Sequence, residues 1–228
     1  MVNYEVDKDW VEQFVPSGCE LALYKGRAFV SVVLFRFHKT KFLGVPMPFY
    51  RDFPEINLRI YVNRTVNGET KRGVVFIKEI IPHKLPAMVA NKLFKENFHV
   101  MAMDAEYGKK TISYKWGDGN VVRAERVGEM FEWAEGTEEE FLGNNFWAFK
   151  NLGRDNTTDR KGRGKSCEFG ISHIPWKMQK LENIELKIEF INLYGKDWAT
   201  HINPTPTSTF YVNGSEVGVS LPKRFSTA

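Results

Sequence analysis

Two cysteines in 228 residues, Cys19 and Cys167, are too few for a disulfide framework. The five histidines, His38, His83, His99, His173 and His201, all lie more than four residues apart, which excludes a helical two-histidine metal site. No Cys/His cluster has zinc-type spacing either. No apolar run approaches the ~20 residues that a membrane-spanning helix needs. Met1 to Trp10 is charged and holds no apolar signal region. A reduced, cytoplasmic protein with no metal, no cofactor and no membrane partner is expected. In that setting the Asn-x-Ser/Thr triplets at Asn63, Asn156 and Asn213 carry no glycan. Charge of one sign is scarce as well: the net charge is +4, too mild to indicate a nucleic-acid partner. There is no Gly-x-Ser-x-Gly elbow and no His-Glu-x-x-His.

Aromatic residues are plentiful, with 18 Phe, 8 Tyr and 6 Trp, which favours a β-rich core or an aromatic-lined pocket. The most informative stretch is Phe53 to Val62. At period 2, Ile56, Leu58, Ile60 and Val62 form one face, while Glu55, Asn57, Arg59 and Tyr61 form the other. On a strand those four polar side chains project in one row, spaced about 7 Å apart. An acid, an amide, a guanidinium and a phenol in one row suit a binding site; an exposed strand face is the plainer alternative. Glu55 and Arg59 stand about 13 Å apart at Cα, too far for a direct pair, so each needs another partner.

Short strands and hairpin turns dominate the rest. Arg27 to Phe37 is apolar on both faces and reads as a buried strand. Asn67-Gly68 turns the chain into an antiparallel return over Gly73 to Ile80. Pro86 to Asn97 reads as a helix with Leu85, Met88, Val89 and Leu93 on its buried side. Gly117-Asp118-Gly119 marks a hairpin between Lys110–Trp116 and Asn120–Arg126, and Thr137 opens a short capped helix. Strands follow at Cys167 to His173 and Ile184 to Ile191. Asn213-Gly214 predicts a hairpin between Phe210–Val212 and Glu216–Val219. The pattern is that of one mainly β (α+β) domain over 1–228, closed or partly closed as a barrel.

Between Asn151 and Ser166 five cations face two acids, Asp155 and Asp159. Gly162-Arg163-Gly164-Lys165-Ser166 is not a phosphate loop, because the required upstream glycine is Asp159 and no buried strand precedes it. A solvated loop and a basic lid over an anionic ligand both remain open. Lys78, Lys92, Lys95 and the Lys109-Lys110 pair read as solvated rather than as carbonyl nucleophiles.

Glu55 to Val62 and Arg72 to Glu79 resemble the signature of an uncharacterised bacterial group in the acetoacetate-decarboxylase-like superfamily. The likeness continues through Asn91–Met103, Phe146–Phe149, Glu168–Trp176 and Phe210–Val217. The resemblance implies a cone-shaped, largely antiparallel β-barrel with a few short helices and a small-molecule pocket inside. The enzyme that names the superfamily uses a Schiff-base lysine beside a second lysine. The equivalent stretch, Glu96-Asn97-Phe98-His99-Val100, has neither, so that mechanism does not transfer. Asn144-Asn145 stands where the group has Glu-His, whereas His173 matches the group's histidine before Pro and Trp.

The expectation is therefore a barrel that binds a small anionic or carbonyl-containing molecule. Asn57, Arg59 and Tyr61 would bind it, with Arg59 clamping a carboxylate. In the enzyme version, a lyase, decarboxylase or hydrolase on an oxo-acid, Glu55 would move the proton and His99 or His173 would supply a second group. Exposed aromatics are compatible with a homo-oligomer.

Overall fold

The computed structural model describes residues 1–42, 45–46, 49–94, 97–152 and 165–226. The chain is mostly strand, and its largest unit is an 11-stranded curled sheet. The path through it runs from Ser208–Thr209 through Val2–Val6, Ala28–Phe37, Phe53–Val66, Glu69–Ile81, Trp147–Asn151 and Lys165–Ser172 to Gly218–Val219. A five-stranded sheet holds Met103–Tyr107, Thr111–Trp116, Asn120–Glu132, Lys177–Lys187 and Tyr211–Val212. The described strands thus make a partial barrel from two curled sheets. Most pairings are antiparallel; Phe98–Val100 and Trp147–Asn151 each lie parallel to Glu69–Ile81.

The main core fills the space between the sheets. Val30, Val32, Ile56, Leu58, Ile60 and Val75 from the large sheet meet Tyr114, Trp116 and Val122 from the small one. Helix Phe190–Tyr194 and helix Lys196–His201 add Phe190, Leu193 and Trp198 to that core. The alternating apolar face of Phe53–Val62 is what this core buries.

The long hairpin turns at Asn67 and Gly68, with φ of 53° and 82°. Two successive left-handed residues match the twist of the flanking strands, which is why Asn-Gly occupies the turn. Pairing is regular from Val66↔Glu69 to Arg59↔Phe76. It then jumps, so that Leu58 faces Lys78 and Asn57 faces Glu79. Ile77 is the extra residue of a β-bulge. Without it the count would put Lys78 opposite Asn57; a one-residue slip exchanges the faces of everything beyond it.

Other expectations hold at Ala28–Phe37, at the hairpin joining Thr111–Trp116 to Asn120–Glu132, and at Thr137, whose hydroxyl accepts from Glu140 N at 3.3 Å. Three are corrected. Tyr211–Val212 and Gly218–Val219 belong to different sheets, so Asn213-Gly214 is a crossover and not a hairpin. Asn213 is held by Lys177 instead: its Oδ1 accepts from Lys177 N at 3.0 Å, and its own N–H donates to Lys177 O at 3.1 Å. Helix Lys84–Phe94 turns Leu85 (48% exposed) and Met88 (58%) outward. Small Ala87 packs down on Phe53 and Ile81, which brings the helix close to the sheet. Finally, the strand expected to reach Ile191 ends at Lys187. Phe190, Leu193 and Tyr194 bury themselves at helical spacing instead. Most of the basic segment 151–166 considered as a lid, residues 153–164, lies outside the described residues.

Candidate functional site

Strand Phe53–Val66 is buried on both faces as far as Val62. An exposed polar face is therefore excluded: Glu55 is 2% exposed, Asn57 3%, and Tyr61 is fully enclosed, while Arg59 is partly buried. Burying this row demands partners for every polar atom. Most of those partners fall in two groups.

The first group lies toward Phe53. Asn57 Nδ2 donates to Glu55 Oε1 at 3.1 Å. Glu79 (6% exposed), missed from the sequence, faces Asn57 across the sheet because of the bulge. With its Nδ2 committed to Glu55, the Asn57 amide presents Oδ1 to the site. That oxygen is buried and has no hydrogen-bond partner among the described residues. Phe53, Ile81 and Ala87 close this end, with the Phe37 ring tilted against Phe53 at a centroid distance of 4.8 Å. The register thus puts Glu55, Asn57 and Glu79 on one face of the sheet, beside an apolar wall.

The second group lies toward Tyr61. Arg59 Nε donates to Tyr61 OH at 3.4 Å, and Nη2 donates to Leu142 O at 3.0 Å. Ser31 Oγ donates to Asn3 Oδ1 at 2.7 Å, so its 2.6 Å bond with Tyr61 has the phenol as donor. Asn3 Nδ2 continues to Ser208 Oγ, which donates to Glu138 Oε1 at 2.8 Å. This directed chain fixes the Arg59 plane. Arg59 Nη1 has no partner among the described residues. Helix Glu138–Gly143, which supplies Leu142 O, is anchored by Arg72 Nη1 on Glu140 Oε1 at 2.7 Å. Burial alone would raise the Glu140 carboxyl; hydrogen bonds from Asn144 and Arg72, and the Arg72 charge, hold it below the usual range.

The two histidines stand apart. His99 is exposed beside Ile80, one position out of phase with Glu79, and its Nε2 lies 3.0 Å from Asn97 Oδ1. His173 sits beyond the end of Lys165–Ser172, two strands further on, with its ring stacked between Phe146 and Trp176. His173 does not join the Glu55 group. Asn144 and Asn145 serve their helix end, donating to Glu140 Oε1 and Phe141 O. Lys78, sent to the other face by the bulge, is partly buried and donates to Leu193 O. Lys150 is buried on Trp147–Asn151 and was also not singled out from the sequence.

Two open clefts occur elsewhere. One of about 600 Å³ is bounded by Phe146, Trp147, Gly170, His173 and Gly218. The other, of about 550 Å³, is bounded by Lys8, Glu12, Val15, Cys19 and Leu21. No residue of the polar row lines either. Burial pushes the Cys19 thiol up to about 12, with Arg64 opposing and Glu168 reinforcing the shift.

The DUF2071 family, described as an uncharacterised conserved protein, matches residues 1–216. The uncharacterised protein YqjF of Bacillus subtilis (strain 168) is 32% identical over 113 residues. That match covers 49% of this chain and 45% of YqjF, so it spans less than half of the curated relative. Among solved structures, the enduracididine biosynthesis enzyme MppR with bound HEPES superposes with a TM-score of 0.63 at 11% identity, covering 99% of this chain and 84% of that one. Acetoacetate decarboxylase from Legionella pneumophila gives 0.54 at 12% identity over 97% and 83%. An acetoacetate-decarboxylase-like enzyme from Sphingomonas wittichii RW1 gives 0.50 at 13% identity over 96% and 90%. At such identities these likenesses establish a shared, acetoacetate-decarboxylase-like fold.

Proposed function

Because the chain belongs to the DUF2071 family, whose description assigns no activity, we propose a function from its own residues: it binds a small oxo-acid against the Glu55–Asn57–Glu79 group. The observation that carries this reading is Asn57 Oδ1, a buried acceptor aimed by its own bond to Glu55 and lacking a donor among the described residues. An enol or a hydrated ketone supplies that donor. The ligand carboxylate meets the open Nη1 edge of Arg59, whose plane is already fixed by Tyr61 and Leu142. This keeps the ligand anionic and carbonyl-bearing.

In the catalytic form of the reading, one carboxylate of the pair removes a proton from the carbon next to the carbonyl. The other, as the neutral acid, gives its proton to the carbonyl oxygen. The enol forms, one carboxyl has gained a proton and the other has lost one. Such proton transfer begins a lyase's elimination without a Schiff base; in a decarboxylase the bond to the leaving CO2 breaks in place of the C–H bond, and the neutral acid gives its proton to the carbonyl oxygen as the enol forms. If turnover is absent, the same site serves as a binding module.

The test is a thermal-shift screen with pyruvate, acetoacetate and 2-oxoglutarate, alongside their 2-hydroxy counterparts. The reading expects an oxo-acid to raise the melting temperature of the native chain. Glu79→Gln and Arg59→Lys should each reduce that rise. Responses unchanged in both variants would sink it. Borohydride reduction with the same ligands should leave no adduct; a stable adduct would restore a Schiff-base lysine.

A further inference from the structure

Two segments meet where the chain passes from strand Ala28–Phe37 to strand Phe53–Val66. Residues 36–51 hold Arg36, Lys39, Lys41 and Arg51, residues 81–94 hold Lys84 and Lys92, and neither segment contains an acid. The first carries a small hairpin, Lys41–Phe42 paired with Val45–Pro46, that joins neither large sheet. Its base is closed by Arg51 O, which accepts from Thr40 N at 2.9 Å and from Thr40 Oγ1 at 3.0 Å. The second segment forms helix Lys84–Phe94. The Tyr50 ring packs edge-on against His83 at 5.1 Å, and His83 packs edge-on against Phe53 at 5.5 Å. Hairpin base and helix start therefore lie side by side.

Phe49, next to Tyr50, is 97% exposed and sits at φ 66°. A bulky side chain seldom takes that left-handed conformation, which costs strain. At such exposure the ring buries almost nothing in return. The helix adds two more uncovered apolar side chains, Leu85 and Met88. Lys84, Met88 and Lys92 follow one another at four-residue spacing along its exposed side. Lys39, Lys41 and Arg51 are exposed as well. The adjoining acid, Asp52, is held by His38 and by Arg36 at 3.8 Å, so it does not cancel the free lysines. The result is three apolar tips set among cations.

We propose that this face docks on an anionic membrane surface, with Phe49, Leu85 and Met88 entering the headgroup boundary while the surrounding cations meet the lipid charges. Charge complementarity selects this partner. A second copy of the chain, packed through the same face about a two-fold axis, would press cations against cations. A nucleic-acid backbone would meet the cations but leave Leu85 and Met88 without an apolar neighbour. The sequence expectation of no membrane partner rested on the lack of a spanning apolar run, and a surface contact needs none. The proposal does not depend on the oxo-acid reading, since none of its residues belongs to the polar row.

The test is co-sedimentation of the native chain with vesicles of phosphatidylcholine alone and with about a third phosphatidylserine. The mixed vesicles should bind the chain about tenfold more tightly than the neutral ones, and about 0.5 M salt should remove that advantage. Phe49→Ala should weaken binding about fivefold or more, and Lys84→Glu with Lys92→Glu about tenfold or more. Melting temperatures should hold in both, because all three side chains are exposed. Lys180→Glu with Lys223→Glu makes the same change in net charge on strands Lys177–Lys187 and Lys223–Ser226, elsewhere in the two sheets, and should leave binding within about twofold. Binding to neither vesicle, equal binding to both, or equal loss in the two charge variants would overturn the proposal. So would a single-stranded oligonucleotide that binds more tightly than the mixed vesicles, or a dimer of the native chain that Phe49→Ala dissolves.

Discussion

Glu79 stands directly opposite Asn57 only because the chain accommodates one extra residue, Ile77, between their two strands. In a regular ladder Lys78 would occupy that place and a lysine would face Glu55. The bulge deals the Lys78-Glu79 dipeptide the other way round, acid toward the acid row and base toward the aromatic core. Bulges of this kind re-aim side chains next to functional sites.

The Asn57 amide holds Glu55 in place, so removing it has a measurable cost. Asn57→Ala should destabilise the chain by about 1–3 kcal/mol, since a buried carboxyl loses its donor. In thermal melts that is a drop of roughly 2–4 °C per kcal/mol. Asn57→Asp should behave differently. A further buried carboxyl beside Glu55 and Glu79 has its pKa raised on folding, so the native state binds more protons than the unfolded chain. Its penalty should grow as pH rises from about 4 and shrink on acidification. A penalty equal at pH 5 and pH 8 would show that the introduced carboxyl is not near these acids.

Helix Glu138–Gly143 delivers Leu142 O to Arg59, and the Arg72–Glu140 pair anchors it. Because the Glu140 carboxyl is held low, its stabilisation is present above the unfolded carboxyl value and lost as pH falls through the lower folded one. Arg72→Met should therefore cost about 1 kcal/mol or less near neutral pH, given the pair's partial exposure. The difference from native should begin to shrink as pH falls below the unfolded carboxyl value of about 4.3 and vanish only below the lower folded one. Chemical denaturation at the two pH values measures it.

Glu168 is buried between two cations, with Arg64 Nη1 at 2.9 Å on Oε2 and Lys71 on Oε1. The cations in turn cover aromatic rings, Arg64 over Phe225 and Lys71 over Trp147, each at 3.9 Å. Glu168→Ala should cost about 3 kcal/mol or more, because it strands two charges in a closed setting. Swapping the pair order by Lys71→Glu with Glu168→Lys should recover part of that loss. Urea titration of the three chains decides it.

Cys19 lies in the cleft beside Val15 and Leu21, yet its thiol is raised to about 12. At pH 7.5 its thiolate fraction is ~10³-fold below that of a free cysteine. Peptide mapping after brief alkylation should find Cys19 unmodified, and rapid labelling would contradict the burial of its sulfur.

What the sequence revealed here follows from how local each signal is. The alternation from Ile56 to Val62 and the Asn67-Gly68 turn are written in adjacent residues, so the hairpin and its polar row were legible. The bulge was not. Ile77-Lys78-Glu79 contains no glycine or proline to mark it, and so Glu79 was overlooked while Lys78 was placed in solvent. Burial of the row was equally hidden, since it comes from Leu142 and Ala87 on helices far along the chain. Asn213-Gly214 misled because the side chain of Asn213 binds Lys177 on another strand rather than closing its own turn. His173 was a candidate by its match to the family's histidine; strand order, which no local pattern reveals, puts it away from Glu55.

The central claim is that Asn57 Oδ1, Glu55 and Glu79 together receive a ligand donor. Isothermal titration of pyruvate, acetoacetate and 2-oxoglutarate into native chain and Asn57→Ala tests it most directly. One of the three should bind the native chain and bind Asn57→Ala about tenfold more weakly, the loss of one buried hydrogen bond. Equal affinity for both chains, or heat from none of the three ligands, would contradict the account.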